Sequence, residues 1–363
     1  MIPFNYPKSI YLKYKKEINT NISKVLNSGQ YIKSNELNKF EKNFAKYINS
    51  KFAVGVGNAT DSIYIALKTL HIKQGDEVIT VSHTATGTIM GILNTGATPI
   101  FCDINEQDFN IDLNAINKKI SKKTKAIVVV HLYGQSCNME KLLLIANEKG
   151  LPVIEDCSQA AGAKYKNKYL GSIGTFGCFS FFPTKNLSCI GDGGMIVTNN
   201  KSYVKKIQCL REYGWDHKRN AKIIGINSRL DEIQAAILNV KLKYLNKDNI
   251  ERRSIANFYN NNINNLIITK PFENLFAYHV YHLYVIRVKA RDKLIKEMNK
   301  NNIYPGIHYI KAVHHQKLLI NKKNFLPITD KVVNSVLSLP IYPGLKKRNL
   351  KEIVRIINNF KII

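Results

Sequence analysis

Between Phe52 and Asp156 the chain alternates short apolar runs with stretches of helical period, and this rhythm admits few architectures. Residues 52–56 read as a strand, and the DSIYIALKTL stretch that follows sets Ile63, Ala66, Leu67 and Leu70 on one helical face. DEVITV is a further strand, GTIMGILNTG a helix, ATPIFCDI and TKAIVVVHLYG strands, MEKLLLIANEKG a helix closed by Gly150, and LPVIED a strand. Parallel neighbours need a crossover, usually a helix, so βα units at this spacing predict an α/β domain with a mostly parallel central sheet. After Gly171 the rhythm changes to hairpin-like strands, TFGCFSFF and MIVTN, separated by the turn-forming IGDGG.

The chain has 363 residues, more than the roughly 250–300 at which a single core stops growing, so two lobes are expected. The stretch from Arg229 to Ile263 is helical in period, with Leu230, Ile233, Ile237, Val240 and Leu242 on its apolar face, and it is expected to link them. From about Ile267 come a strand HVYHLYVIRV, a helix DKLIKEMNKNN and an irregular segment through LPIYPGL, which read as a smaller α/β domain. The expected division is 1–245 and 246–363.

An excess of 54 Lys+Arg over 26 Asp+Glu gives a net charge of +28 and raises the question of nucleic acid. The lysines are scattered, and no basic stripe interleaved with aromatics emerges, so neither nucleic acid nor membrane is an expected partner. Cys102, Cys137, Cys157, Cys178, Cys189 and Cys209 form no CxxC pair and no zinc spacing with histidine, so no metal is expected and the thiols read as reduced. No segment approaches the ~18 apolar residues of a membrane helix, and the N-terminus lacks a signal-peptide pattern. A cytoplasmic protein is expected.

Three motifs carry chemistry. In GVGNATDS, Gly55 to Ser62, a strand passes through a glycine turn into a helix and aims backbone N–H groups at an anion. A dinucleotide fingerprint would need glycine where Thr60 stands, so a single phosphate on the amides of Ala59 and Thr60 and the Thr60 hydroxyl fits better; a plain helix cap is the alternative. In VIEDCSQA, Glu155, Asp156 and Gln159 sit at the carboxyl end of a strand, where open α/β sheets place ligands, although Asp156 could merely cap the next helix. In CFSFFPTKNLSCIGDGG a strand delivers Ser180 and then Lys185 beside Pro183 and Thr184, the setting of a lysine held in a confined pocket.

The ordered set GNATDS, DEVITVSHTATGTIMGILNTGATPIFCDI, VVVHLYGQ, VIEDCSQAAGA, GCFSFFPTKNL, GDGGMIVTN, NSRLDEIQAAIL and LSLPIYPGL resembles the DegT/DnrJ/EryC1/StrS sugar aminotransferases over nearly the whole chain. These are pyridoxal 5'-phosphate enzymes of the aspartate-aminotransferase fold (fold type I), and the resemblance makes 1–245 the cofactor-binding domain. It implies that Lys185 is the Schiff-base lysine and the proton shuttle, that Asp156 lies beside the pyridine nitrogen and keeps it protonated, and that Gln159 lies near the ring's phenolic oxygen. Ala59, Thr60 and Ser180 match the phosphate cup, and Asn227 matches a residue reaching it from the neighbouring subunit, which implies a homodimer with shared active sites. Arg229 joins that interface and the substrate or pairs with Asp231 or Glu232. Family members commonly carry an aromatic residue two positions after His83, where this chain has Ala85; His83 stacks on the cofactor in its place or hydrogen-bonds within the sheet edge. His308, Tyr309 and His314 match a stretch near the nucleotide-sugar pocket, and His131 and Tyr133 lie at another strand end.

The implied reaction transfers an amino group from glutamate to C3 of a dTDP-linked 3-keto-6-deoxyhexose, giving a dTDP-3-amino-3,6-dideoxyhexose for lipopolysaccharide or other surface glycans. The alternative is amination of a 4-keto sugar on dTDP or UDP. A sugar 3-dehydratase of the same family would have histidine at the position of Lys185, and a DNA-binding regulator would need an added helix-turn-helix.

Overall fold

The computed structural model describes residues 1–317, 319 and 324–362. The predicted apolar runs form seven strands: β1 (Phe52–Val56), β2 (Glu77–Val81), β3 (Thr98–Cys102), β4 (Thr124–Val130), β5 (Val153–Asp156), β6 (Phe176–Ser180) and β7 (Gly194–Thr198). Their order in one sheet is β1-β7-β6-β5-β4-β2-β3. β7 runs antiparallel to both neighbours, and the other pairs are parallel. Helices α1 (Ala59–Thr69), α2 (Thr86–Leu93) and α3 (Met139–Glu148) supply crossovers.

The unbroken apolarity of β4 follows from burial on both faces. Ile127 and Val129 pack into the core that holds Phe44, Phe179 and Met195. Ala126 and Val128, one step out of phase, enter the core of Val54, Ile63 and Ile196. The hairpin turn brings Gly194 between Ser180 and Val56 in register. A Cβ on Gly194 would stand 2.5 Å from the Asn58 carbonyl, so glycine is required for β7 to approach the start of α1.

Helix α4 (Glu232–Asn262) links the cores as expected. Ile237 and Val240 pack on Tyr14 and Ile18, Leu238 and Leu245 enter the sheet core, and Ile255, Ala256 and Tyr259 enter a third core. That third core is built on the antiparallel pair β8 (Tyr284–Arg287) and β9 (Val336–Leu339), with Leu294 and Met298 of α5 (Arg291–Lys300) and Ile353 and Ile357 of the C-terminal helix Lys347–Asn359. The short helix α6 (Pro327–Val333) leads into β9. Ile2–Pro3 pairs in parallel with Ile303–Tyr304, so the first residues of the chain join the C-terminal part. We propose 1–245 and 246–363 as the two lobes, with that N-terminal strand crossing between them.

HVYHLYVIRV is not one strand. Only Tyr284–Arg287 is extended into the sheet, and Tyr281 is left-handed at φ 43°. The backbone before it is satisfied otherwise: Tyr281 N donates to His279 Nδ1 at 2.9 Å, and Arg252 Nη1 donates to the carbonyls of Tyr281, His282 and Ile341. With those groups taken, no ladder can form there.

Candidate active site

The carboxyl ends of β1, β5 and β6 open on a cleft of ≈ 560 Å³ whose walls include Ala59, Thr60, Thr88, Asp156, Ser180 and Lys185. At the start of α1, Asn58 caps the helix: its Oδ1 accepts from Asp61 N at 2.9 Å and its Nδ2 donates to Asp61 Oδ2 at 2.9 Å. Ser228 Oγ donates to that same Asp61 oxygen at 2.6 Å and accepts from Gly57 N at 2.9 Å. The cap thus serves the third amide, while the N–H groups of Ala59 and Thr60 have no acceptor among the described residues. Two free amides at the positive end of an 11-residue helix make an anion receptor. The Thr60 hydroxyl lies against Gly87, where an added Cβ would meet Thr60 Oγ1 at 2.7 Å.

The alternation of β5 parts two adjacent carboxylates. Asp156 faces the cleft, is 3% exposed, and accepts from Thr88 Oγ1 at 2.7 Å and Ser158 N at 3.0 Å. Glu155 is turned to Gly171, Ile173 and Gly174, whose amides donate to it at 2.8, 2.9 and 2.6 Å, and to His131 Nε2 at 3.0 Å. Glu155 and His131 therefore brace the loop beneath the site, and of the two adjacent carboxylates it is Asp156 that lines the cleft.

Lys185 follows β6 in a turn closed by its N–H to the Phe182 carbonyl at 2.9 Å. The turn is pinned on both sides: Asn5 Nδ2 donates to Thr184 O at 2.9 Å, and Asn186 Nδ2 donates to Asn249 Oδ1 at 2.8 Å. Burial lowers the Lys185 ammonium to about 8, with the Asp156 charge opposing the shift. A substantial fraction of this amine is neutral near physiological pH, where an exposed lysine is almost wholly protonated.

Gln159 is fixed at both ends, its Oε1 accepting from Tyr133 N at 2.6 Å and its Nε2 donating to the Tyr309 hydroxyl at 2.9 Å. Burial and the Asp156 charge push the Tyr309 phenol up, so it stays protonated. The Tyr133 hydroxyl donates to the His308 carbonyl, and therefore accepts from His83 Nε2 at 2.8 Å. That assigns the Nε2–H tautomer to His83 and leaves its buried Nδ1 as an unmet acceptor. Burial lowers His83 to about 3, so the ring is neutral. Ala85, Gly87 and Thr88, which follow His83, stand on the cleft wall. His308 Nδ1 meets Ser338 Oγ at 2.9 Å, and burial together with nearby Lys185 lowers the ring to about 4.

Asn227 is exposed, bridged to Glu212 through its backbone, and makes no side-chain hydrogen bond with the described residues. Arg229 is half-buried and forms no ion pair with the described residues; Glu232 accepts from the amides of Ser34, Glu36 and Leu37. His314 Nδ1 meets Ser82 Oγ at 2.6 Å, and His314, like Gln159, Arg229, His308 and Tyr309, is not among the residues lining the cleft. Sequence reasoning passed over Thr88 and Ser228. The signal for Thr88 was a hydroxyl in an otherwise apolar helix directly after a strand end.

This donor set fits pyridoxal phosphate: free helix amides for a phosphate, a buried carboxylate for a protonated pyridine nitrogen, and an amine of lowered pKa for an aldehyde. The chain matches the DegT/DnrJ/EryC1/StrS aminotransferase family over residues 13–358. It is 42% identical over 361 residues to the dTDP-3-amino-3,6-dideoxy-alpha-D-galactopyranose transaminase of Aneurinibacillus thermoaerophilus, covering 99% of each chain. The crystal structure of DesV from S. venezuelae superposes with a TM-score of 0.96 at 34% identity, covering 98% of this chain and 97% of that one. NtdA from Bacillus subtilis, solved with bound cofactor PMP, gives a TM-score of 0.89 at 30% identity over 95% of this chain and 82% of that one. The chain belongs to the DegT/DnrJ/EryC1/StrS family and is a pyridoxal-phosphate-dependent aminotransferase.

Proposed function

We propose that the enzyme aminates C3 of a dTDP-linked 3-keto-6-deoxyhexose with glutamate as donor, giving a dTDP-3-amino-3,6-dideoxyhexose for surface glycans such as lipopolysaccharide. The observation that carries this reading is the full-length likeness to the A. thermoaerophilus transaminase, joined to a cleft with an anion receptor, a buried carboxylate and a partly neutral lysine. Bound pyridoxal phosphate supplies the carrier of the amino group and an acceptor for the electron pair left when a proton departs from carbon.

The amides of Ala59 and Thr60, with the Thr60 and Ser180 hydroxyls, hold the phosphate. Lys185 would hold the aldehyde carbon through Nζ and, when that nitrogen is free, would take and return a proton there; its lowered pKa suits both duties. Asp156, oriented by Thr88 and Ser158, keeps a proton on the pyridine nitrogen. Gln159 and Tyr309 orient the ring's phenolic side. His83, neutral and bonded to Tyr133, supports that wall. Arg229, His308 and Tyr309 are assigned to the sugar nucleotide; His314 Nδ1 is bonded to Ser82 Oγ.

Two chains are proposed to share each site, supported by an Asn227 side chain that is exposed and makes no hydrogen bond with the described residues. Six unpaired cysteines support a reducing, cytoplasmic location. No helix among the described residues is long and apolar enough to cross a membrane. The test is turnover with glutamate and the 3-keto sugar, generated in place by an isomerase because it is unstable, with the product carbon read by NMR. Nitrogen on C3 is expected. Nitrogen on C4, or rejection of the 3-keto substrate, overturns the assignment, since misplacing the reacting carbon by about an ångström costs roughly 100-fold.

A further inference from the structure

His314, His315 and Asp330 form a cluster apart from the residues that line the cleft. We propose that it binds one divalent transition-metal ion of the zinc, cobalt or nickel type through His314 Nε2, His315 Nε2 and an Asp330 carboxylate oxygen. The three ligand atoms lie within 4.8 Å of one another. His314 Nε2 stands 3.2 Å from Asp330 Oδ1, and His315 Nε2 stands 2.8 Å from the same oxygen. A tetrahedral ion with ligands at about 2.0 Å has edges of about 3.3 Å, so these separations are close to those of a coordination shell.

A second observation points to the ligand. The His314 side chain is 3% exposed and its Nε2 makes no hydrogen bond, although it faces the carboxylate. That nitrogen and the His315 Nε2 converge on one carboxylate oxygen, at 3.2 and 2.8 Å. The other nitrogen, Nδ1, is held by Ser82 Oγ at 2.6 Å, the kind of outer contact that fixes the ring of a ligating histidine. The side chains of His315 and Asp330 are 45% and 41% exposed, which gives an ion a path from solvent. Two imidazoles and one carboxylate suit zinc-like ions and supply too few oxygens for calcium or magnesium.

The ion would brace the cleft from outside. Both ligating segments dock near the carboxyl edge of the sheet: His314 through Ser82 beyond β2, and α6 through Asp103 beyond β3, which accepts from Ile328 N at 2.9 Å and Thr329 N at 2.8 Å. Gln316 Nε2 donates to Thr86 Oγ1 at 3.1 Å, and Thr86 opens α2, the helix that supplies Gly87 and Thr88 to the cleft.

The test titrates chelator-treated holoenzyme with Co²⁺ alone, read by calorimetry and by visible d–d absorbance to the red of the cofactor band. One Co²⁺ per chain is expected. His315→Gln and Asp330→Asn should each weaken binding by at least ~10-fold while circular dichroism stays unchanged. His217→Gln, at an exposed histidine elsewhere, should leave it as it was. Absence of saturable binding at one per chain, unchanged affinity in both cluster variants, or loss of binding in His217→Gln overturns the proposal. None of these readouts depends on which sugar is aminated.

Discussion

Replacing Asp156 by asparagine should leave the fold standing and cripple turnover. The carboxylate is buried and accepts two hydrogen bonds, from Thr88 Oγ1 at 2.7 Å and Ser158 N at 3.0 Å. Asparagine keeps the volume, and its Oδ1 can still accept from Ser158. Its NH₂ would face Thr88, whose hydroxyl can turn to accept because Thr84 Oγ1, 2.9 Å away, can take its proton. The network is re-formed, so the stability cost should be ~1 kcal/mol or less. The charge is lost outright. Against a cationic pyridine nitrogen at a hydrogen-bond distance of about 2.8 Å, a unit charge at an effective dielectric of about 20 is worth ~6 kcal/mol. Losing half of that in the transition state, ~3 kcal/mol, slows the reaction at least ~100-fold. Single-turnover decay of the cofactor absorbance on adding glutamate measures the rate, and thermal unfolding measures the fold. A variant with bound cofactor and near wild-type rate would refute the electrostatic argument for Asp156.

In the cofactor-free chain, Lys185 at about 8 should capture pyridoxal phosphate at a rate that rises with pH and levels above about 8; stopped-flow absorbance that keeps climbing toward the usual lysine value of 10.5 contradicts the buried amine. By linkage, the same lowering makes the unfolded lysine hold more protons than the folded one between those values, so its contribution to stability rises with pH there. Mixing Lys185→Ala chains with Asn227→Ala chains should restore part of the activity, because some mixed dimers carry both defects in one site and neither in the other; no recovery after verified exchange counts against shared sites.

The sheet was legible because its chemistry is periodic. A strand buried on both faces must be apolar throughout, as in AIVVV of β4, and a helix on one face must repeat near 3.6 residues, as in α1. Asp156 and Ser180 end such strands and Lys185 follows in the turn after β6, which is why the three meet at one cleft. Less legible was whatever depends on which partner satisfies a backbone group. Nothing local in HVYHLYVIRV says that Arg252, far away in sequence, will take the carbonyls of Tyr281 and His282 and end the strand early. Nothing local to His314 says that Ser82, separated by 232 positions, will meet its Nδ1. Thr88 carries no motif, and its importance appears only when β5 places Asp156 opposite it.

The central claim is that the lysine in this cleft carries the cofactor. Treating the holoenzyme with borohydride fixes the cofactor to the amine that holds it, and peptide mapping by mass then names that amine. The expected result is the reduced cofactor mass on the peptide containing Lys185, with Lys185→Ala taking up pyridoxal phosphate reversibly through Ala59, Thr60 and Ser180 and showing no trapped adduct. A stable adduct on any other lysine, or trapping undiminished in Lys185→Ala, would contradict the account.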